Sequence, residues 1–304
     1  MSTPKLPWHA PLFVALQALL PTRLLSRIVH SLAHIRWAPL RLPFIRGFAR
    51  AFAVDMRDAA NPDLASYPHF NAFFTRALRD GARPLPSDPT ALCSPVDGTV
   101  SQFGAIDGER LIQAKGRDYT ASALLADDAG AYLDGDFCTI YLAPYNYHRI
   151  HAPCDLELKG WRYVPGRLFS VNPTTAALRD ALFSRNERVV AHFDCDGGQL
   201  AMVMVGALLV GSVDTVWAGR ICPPHRRRPS DFVPASGRFA RGAEIARFNM
   251  GSTVILLASP GLLRWDKGLQ AGAPIRMGAA LASPRARTKD GPSSSKSTND
   301  PKDA

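Results

Sequence analysis

From about residue 90 onward the chain is written in short apolar runs, and this restricts its fold more than any other feature. Phe137–Leu142, Val189–Phe193, Leu200–Val205, Ala207–Val213 and Val254–Leu257 read as strands, punctuated by clusters of Gly, Asp and Pro. Helical patterns do not alternate with them, which argues against a parallel α/β sheet and for an antiparallel-rich β core. Such a core needs length and apolar content. The 304 residues and 46% hydrophobic composition supply both, and 20% charged residues keep most of the chain out of the disordered class.

The first 54 residues are built differently. They contain no Asp or Glu but carry Lys5, Arg23, Arg27, Arg36, Arg41, Arg46 and Arg50, against a net charge of +10 for the whole chain. After Pro21, Leu24, Leu25, Ile28, Val29, Leu32 and Ile35 repeat at helical spacing, with Arg23, Arg27, His30 and His34 on the opposite face. Trp8, Trp37, Phe44 and Phe48 add aromatic anchors. This composition fits amphipathic helices lying in an anionic bilayer surface. It also fits helices that pack on their own core and leave a basic face in water. The fold class expected is therefore α+β, with N-terminal amphipathic helices followed by an antiparallel-β-rich catalytic core. The expected domains are basic membrane-binding helices (1–54), a helical connector (55–90), a catalytic β-rich domain (91–282) and a disordered polar tail (283–304).

Five cysteines, an odd number without CxxC spacing, argue against a disulfide framework or a zinc site and for a reducing compartment. No metal is expected. No apolar stretch reaches the length of a membrane span, because Leu12–Leu20 is short and lies between Pro11 and Pro21.

Chemistry concentrates in three constellations: Ser94-Pro95-Val96-Asp97-Gly98, Tyr147-His148-Arg149-Ile150-His151 and Asn249-Met250-Gly251-Ser252-Thr253. Together they hold an acid, two histidines and a hydroxyl, the parts of an activated nucleophile. Each alone is weak, since Asp-Gly marks many turns and Gly-Ser-Thr many loops. The G-x-S-x-G elbow of α/β-hydrolases is absent, and a strand rather than a helix should follow Ser252.

Met250-Gly251-Ser252-Thr253 resembles the Leu-Gly-Ser-Thr self-cleavage motif of bacterial phosphatidylserine decarboxylases. Further segments resemble the same family in the same order: Phe73-Phe74-Thr75-Arg76, Pro95-Val96-Asp97-Gly98, Gln113-Ala114-Lys115-Gly116, Tyr147 through Pro153, Tyr163-Val164-Pro165-Gly166, Phe169-Ser170-Val171-Asn172, Arg185-Asn186-Glu187-Arg188 and Val205-Gly206-Ala207. The resemblance implies a pyruvoyl-dependent, membrane-associated carboxy-lyase made as a proenzyme. Asp97 would orient His151, which would deprotonate Ser252 for attack on the Gly251 carbonyl. Cleavage between Gly251 and Ser252 would leave a β chain (1–251) and an α chain (252–304), with Ser252 converted to a covalent pyruvoyl cofactor. That group would take the amine of phosphatidylserine as a Schiff base and yield phosphatidylethanolamine and CO2. His148 would serve the decarboxylation step. The partners implied are an anionic phospholipid membrane, the lipid substrate and a second copy of the enzyme, giving a homodimer of α/β heterodimers. A peripheral place on the cytoplasmic face of the cell membrane follows, without nucleic-acid binding. Arg149 and Arg226–Arg228 are candidate phosphate contacts. A lipid or peptide hydrolase using the same Asp97, His151 and Ser252, and a catalytically silent membrane-binding module, are the competing readings.

Overall fold

Alternation of side chains along the strands builds the centre of the molecule. The computed structural model describes residues 10–114, 116–208, 212–221, 228–249 and 252–285, without the side chains of Ala18 and Ser252. Nine strands position the site: β1 (Gly98–Ala105), β2 (Asp136–Leu142), β3 (Arg149–His151), β4 (Leu156–Val164), β5 (Arg188–Cys195), β6 (Gly198–Val205), β7 (Val213–Thr215), β8 (Glu244–Phe248) and β9 (Ser252–Ala258). A nine-stranded antiparallel sheet runs in the order Val233–Pro234, β4, β5, β6, β9, β2, β1, Pro274–Ile275, with Arg238–Phe239 also paired to β4. A smaller antiparallel sheet runs Gly219–Arg220, β7, β8, β3. The α+β class expected from the sequence is observed.

Central β9 is covered on both faces. Val254, Leu256 and Ala258 join Met202, Met204, Cys138 and Ile140 in one apolar core. Ile255 and Leu257 join Phe137, Ala201 and Val203 in the other. Successive strand residues point to opposite faces, so a strand buried on both sides reads as an unbroken apolar run.

Register sets the functional end of this sheet. Thr99, Tyr141, Thr253, Val205, Arg188 and Val164 stand in one row across β1, β2, β9, β6, β5 and β4. Just beyond that row all six strands begin or end. Asp97, the 142–148 turn, Ser252, Gly206, Arg185–Glu187 and Pro165–Arg167 therefore share one rim.

Helices α1 (Ala10–Leu19), α2 (Thr22–Ala33) and α3 (Ala38–Ala51) attach to this rim. Gln17 Oε1 accepts from Ser170 N at 2.8 Å, and Arg23 Nη2 donates to the Gly166 carbonyl at 3.1 Å. Ile45 of α3 packs on Phe70, Phe73 and Phe74 of α4 (Phe70–Phe74). α2 is turned the opposite way to a core helix. Thr22 and Ser26 are buried at 6% and 3% exposure, while Leu24, Ile28 and Leu32 remain 54%, 48% and 50% exposed. No single helix among the described residues is long and apolar enough to cross a membrane. α1 and α2 would suffice together in length and composition, but the chain bends by 88° between them.

Three expectations are corrected. Only Leu64–Ser66 and α4 are helical within 55–90, because Pro62, Pro68, Pro84, Pro86 and Pro89 interrupt the segment. Of the run Ala207–Val213, residues 209–211 lie outside the described residues, and neither 207–208 nor 212 belongs to a strand. β6 ends at Val205, where Gly206 leaves the ladder to pair with the Glu187 carbonyl and the Asn186 amide, and β7 begins only at Val213. Ser283 and Pro284, assigned to the polar tail, close the strand Ala280–Pro284, which pairs with Leu92–Cys93 and Leu263–Trp265. The rest of the expected tail, from residue 286, lies outside the described residues, as do Lys5, Trp8 and Lys115.

Candidate active site

Ser252 opens β9 directly opposite Leu142, the last residue of β2. Met250, Gly251 and the Ser252 side chain lie outside the described residues. Asn249 holds the approach to them. Its Oδ1 accepts from Asn71 Nδ2 at 3.0 Å, its Nδ2 donates to Ser212 Oγ at 2.8 Å and Asp214 Oδ1 at 2.9 Å, and its own N–H bonds the Ser212 carbonyl. A buried amide satisfied from three directions fixes the chain three residues before Ser252.

From Leu142 the chain turns back through 143–148, with the Ala143 N–H bonded to Asn146 Oδ1 at 2.7 Å. The turn delivers His148 to the same end of the sheet as Ser252, and the Phe248 N–H pairs with its carbonyl. The His148 ring is completely buried and lies on the Phe74 ring with centroids 4.0 Å apart. Its Nδ1 is 2.8 Å from the Asn146 carbonyl. A carbonyl only accepts, so Nδ1 carries the proton and Nε2 keeps a lone pair. That Nε2 is buried without a hydrogen-bond partner among the described residues. Burial, aided by the Arg76 charge, pushes the His148 pKa down to about 3, so the ring is neutral at ordinary pH.

His151 is prepared in the same tautomer by different neighbours. Nδ1 lies 2.7 Å from the Gly242 carbonyl and Nε2 accepts from the Tyr147 hydroxyl at 2.9 Å. Gly242 has φ of +84°, and a Cβ there would meet Leu85 at 2.9 Å, so a side chain would disturb the carbonyl that orients the imidazole. Burial lowers the His151 pKa; the Gly242 hydrogen bond opposes this shift. His151 is thus a neutral base whose acceptor nitrogen is held by a hydroxyl. Burial also raises the Tyr147 pKa, keeping that hydroxyl protonated.

Asp97 is placed differently from expectation. Its carboxylate forms a two-pronged pair with Arg83, Nε to Oδ1 at 2.9 Å and Nη2 to Oδ2 at 2.6 Å, and Oδ1 also accepts from the Met277 N–H at 2.8 Å. Arg83 bridges on to Asp58 Oδ2 at 2.7 Å. The group orienting His151 is the Gly242 carbonyl rather than Asp97. Asp97 nevertheless belongs to the same cluster, because the His151 N–H bonds the Pro95 carbonyl at 2.9 Å, two residues away. Arg149 meets a carboxylate of the protein itself: Nη1 pairs with Glu244 Oε2 at 2.8 Å while Nε bonds the Thr75 carbonyl. Of the second basic candidate, Arg226 and Arg227 lie outside the described residues, and Arg228 is exposed.

Arg83, Gly242 and Phe74 were given no role on sequence grounds, and nothing local distinguishes an arginine or glycine in a polar loop. Tyr147 carried a usable signal, since it stands four residues before His151 in the same short motif.

Two family models match the chain. One, described as phosphatidylserine decarboxylase, covers residues 70–283, and a second, described as PSD, covers residues 12–53. Curated relatives named phosphatidylserine decarboxylase proenzyme align over nearly their whole length. The protein of Pseudomonas aeruginosa is 48% identical over 281 residues, covering 90% of this chain and 97% of the relative. That of Ectopseudomonas mendocina is 48% identical over 277 residues, covering 89% of this chain and 97% of the relative. With Asp97, His148, His151 and residue 252 gathered at one rim of the sheet, and with matches of this extent, the chain belongs to the phosphatidylserine decarboxylase family.

Proposed function

We propose that the chain is a proenzyme that cuts itself between Gly251 and Ser252 and then, with a pyruvoyl group at residue 252, decarboxylates phosphatidylserine to phosphatidylethanolamine at a membrane surface. The observation that carries this reading is the pair of neutral imidazoles on the rim where β9 begins, His148 buried and His151 half-buried, each with Nδ1 tied to a backbone carbonyl and Nε2 left as acceptor. In self-cleavage His151 Nε2 takes the Ser252 hydroxyl proton as the oxygen attacks the Gly251 carbonyl. Tyr147 is the group that Nε2 must release first. Asp97, fixed by Arg83, contributes its negative charge to the imidazolium that forms.

The rim suits a covalent carbonyl group: the unpartnered His148 Nε2 is buried there and aromatic carbon shields it. A pyruvoyl group supplies a ketone that binds the substrate amine and draws electrons from the bond to the departing carboxylate. Because His148 is neutral, it acts first as acceptor. With the substrate carboxylate beside it raising its low pKa, Nε2 takes a proton from the arriving ammonium and returns it to the carbon that has lost CO2. Asn249 and its partners keep residue 252 in register with both histidines.

The outward leucines of α1 and α2, the absence of acid from residues 1–54 and the direct stacking of α4 on His148 support a peripheral location on the cytoplasmic face of the cell membrane. A homodimer of cleaved pairs belongs to the same reading. Intact-mass spectrometry of the purified protein and its Ser252→Ala variant tests the core of it. Two chains, 1–251 and 252–304, with a blocked N-terminus on the shorter one, are expected for the parent and one chain for the variant. A single uncut parent chain with full activity on phosphatidylserine would refute it.

A further inference from the structure

A cavity of about 620 Å³ lies where the α1–α2 bend meets the rim. Three arginines from separate segments line it: Arg23 at the start of α2, Arg167 after β4, and Arg185 at the end of the short helix Leu182–Arg185; Arg167 and Arg185 are exposed, and Arg23 is held by the Gly166 carbonyl. A fourth cation is close by. Arg179 stacks on the Phe169 ring at 3.7 Å, and its pKa is lowered by burial and then by the charges of Arg185 and Arg167. No carboxylate lines the cavity among the described residues. Like charges gathered without an acid repel one another by on the order of 1 kcal/mol per close pair even in water, which an anion would relieve. The backbone N–H groups of Arg23 and Leu24, in the first turn of α2, have no intrahelical acceptor and add to the same preference.

The rim of the cavity is apolar. Leu20 and Leu24 line it and remain 41% and 54% exposed, and neighbouring Leu19 is 82% exposed, continuing the outward face of α1 and α2. A ligand that satisfies both halves carries anionic oxygens and a hydrocarbon tail. Arg188 already stands two strand spacings, about 10 Å, from Thr253 in the common row, and Arg185 lies beyond it. The amine and phosphorus of one phosphatidylserine are four bonds apart, at most about 6 Å. Measured along the backbone, the cavity therefore lies farther from residue 252 than one headgroup spans, which favours a lipid other than the substrate as its occupant.

We propose that Arg23, Arg167 and Arg185 hold the phosphate of a second, non-substrate phospholipid, seating the sheet rim at headgroup level beside the substrate. This rests on the membrane-surface reading of the helices. Removing two of the charges should weaken binding about thirtyfold, at on the order of 1 kcal/mol each.

The test compares the processed enzyme with R167Q/R185Q and with R264Q/K267Q, a pair of exposed residues removing equal charge elsewhere. Cosedimentation uses phosphatidylcholine vesicles with and without phosphatidylglycerol. The expected result is about thirtyfold weaker binding to anionic vesicles for R167Q/R185Q and less than about twofold for R264Q/K267Q. Equal losses in both pairs would overturn this inference while leaving the surface reading intact. A parent enzyme indifferent to phosphatidylglycerol at low salt would remove both. Arg23→Gln, on another segment, should repeat a loss of several-fold and serves if the double variant melts early. A calorimetric titration with inorganic phosphate distinguishes the source of the anion. Saturable millimolar binding that disappears in R167Q/R185Q would make this a free-phosphate site and overturn the lipid assignment.

Discussion

The central sheet and the N-terminal helices use apolar residues in opposite directions. On β9 every side chain from Thr253 to Ala258 is buried, and alternate residues enter two different cores. On α1 and α2 the buried positions include Gln17, Thr22 and Ser26, while leucines face outward. Gln17 Nε2 and Ser26 Oγ are buried without partners among the described residues, so the seam beneath the helices is incompletely satisfied even as apolar surface is left uncovered. A helix oriented for stability in water would do the reverse. The lesson is that the sheet buries its apolar residues within the fold, whereas α1 and α2 leave theirs exposed, as the proposed membrane-surface role requires.

The largest effects should come from the sheet rim. Ser252→Ala should abolish cleavage on a denaturing gel and lower decarboxylation by on the order of 10⁴-fold or more, and His151→Ala should likewise leave one chain. His148→Ala should still cleave, at least in part, yet lose about 10²- to 10⁴-fold in decarboxylation. The opposite pattern for the two histidines would exchange their roles.

Stability then separates the two regions. In the uncleaved Ser252→Ala background, Leu256→Ala should cost about 2–5 kcal/mol in urea unfolding. Leu24→Ser in that background should cost no more than about 0.5 kcal/mol, yet measurably weaken vesicle binding. Equal stability losses would erase the contrast between sheet and helices. Deleting residues 1–36 sharpens it further. Activity on vesicles should fall much more than activity on detergent-dispersed substrate.

pH gives a smaller effect with a definite sign. The folded pKa of His148 is pushed below its ordinary 6.5 to about 3 by burial, so the unfolded chain binds the extra proton. The stabilisation is fully present above pH 6.5 and is lost as pH falls toward the folded value, by about 1.4 kcal/mol per pH unit. In the uncleaved background His148→Asn should therefore show a shallower decline in unfolding free energy between pH 6.5 and 4. Identical slopes would mean that the ring is hydrated or charged in the folded state.

Much of the molecule could be read from residue order because the governing forces are local. Short β-branched runs with turn residues between them dictate antiparallel strands, and Val254–Leu257 was found within two residues at its start and one at its end. The helical spacing after Pro21 placed α2. Asp97, His148, His151 and Ser252 were picked out through motif order. The failures were equally physical. Ala207–Val213 has strand composition, but Gly206 is taken by Glu187 and Asn186, partners some 20 residues earlier in the chain. Ser283 and Pro284 look like tail until their pairing with Leu263 and Arg264 is known.

By itself, then, the sequence determined the α+β class, the basic acid-free N-terminus, the family motifs and the residue types available for acid–base chemistry, because composition and short-range spacing act through local backbone preference and hydrophobic periodicity. Only the tertiary structure decided which way α2 faces, that His151 is oriented by Gly242 and engaged by Tyr147, that Asp97 is gripped by Arg83, and that Arg23, Arg167 and Arg185 share one wall. Each of those depends on hydrogen bonds or charges between residues 14 to more than a hundred positions apart, or on the tertiary setting that brings the Tyr147 hydroxyl onto His151. Such geometry exists only once the strands have brought their ends to a common rim.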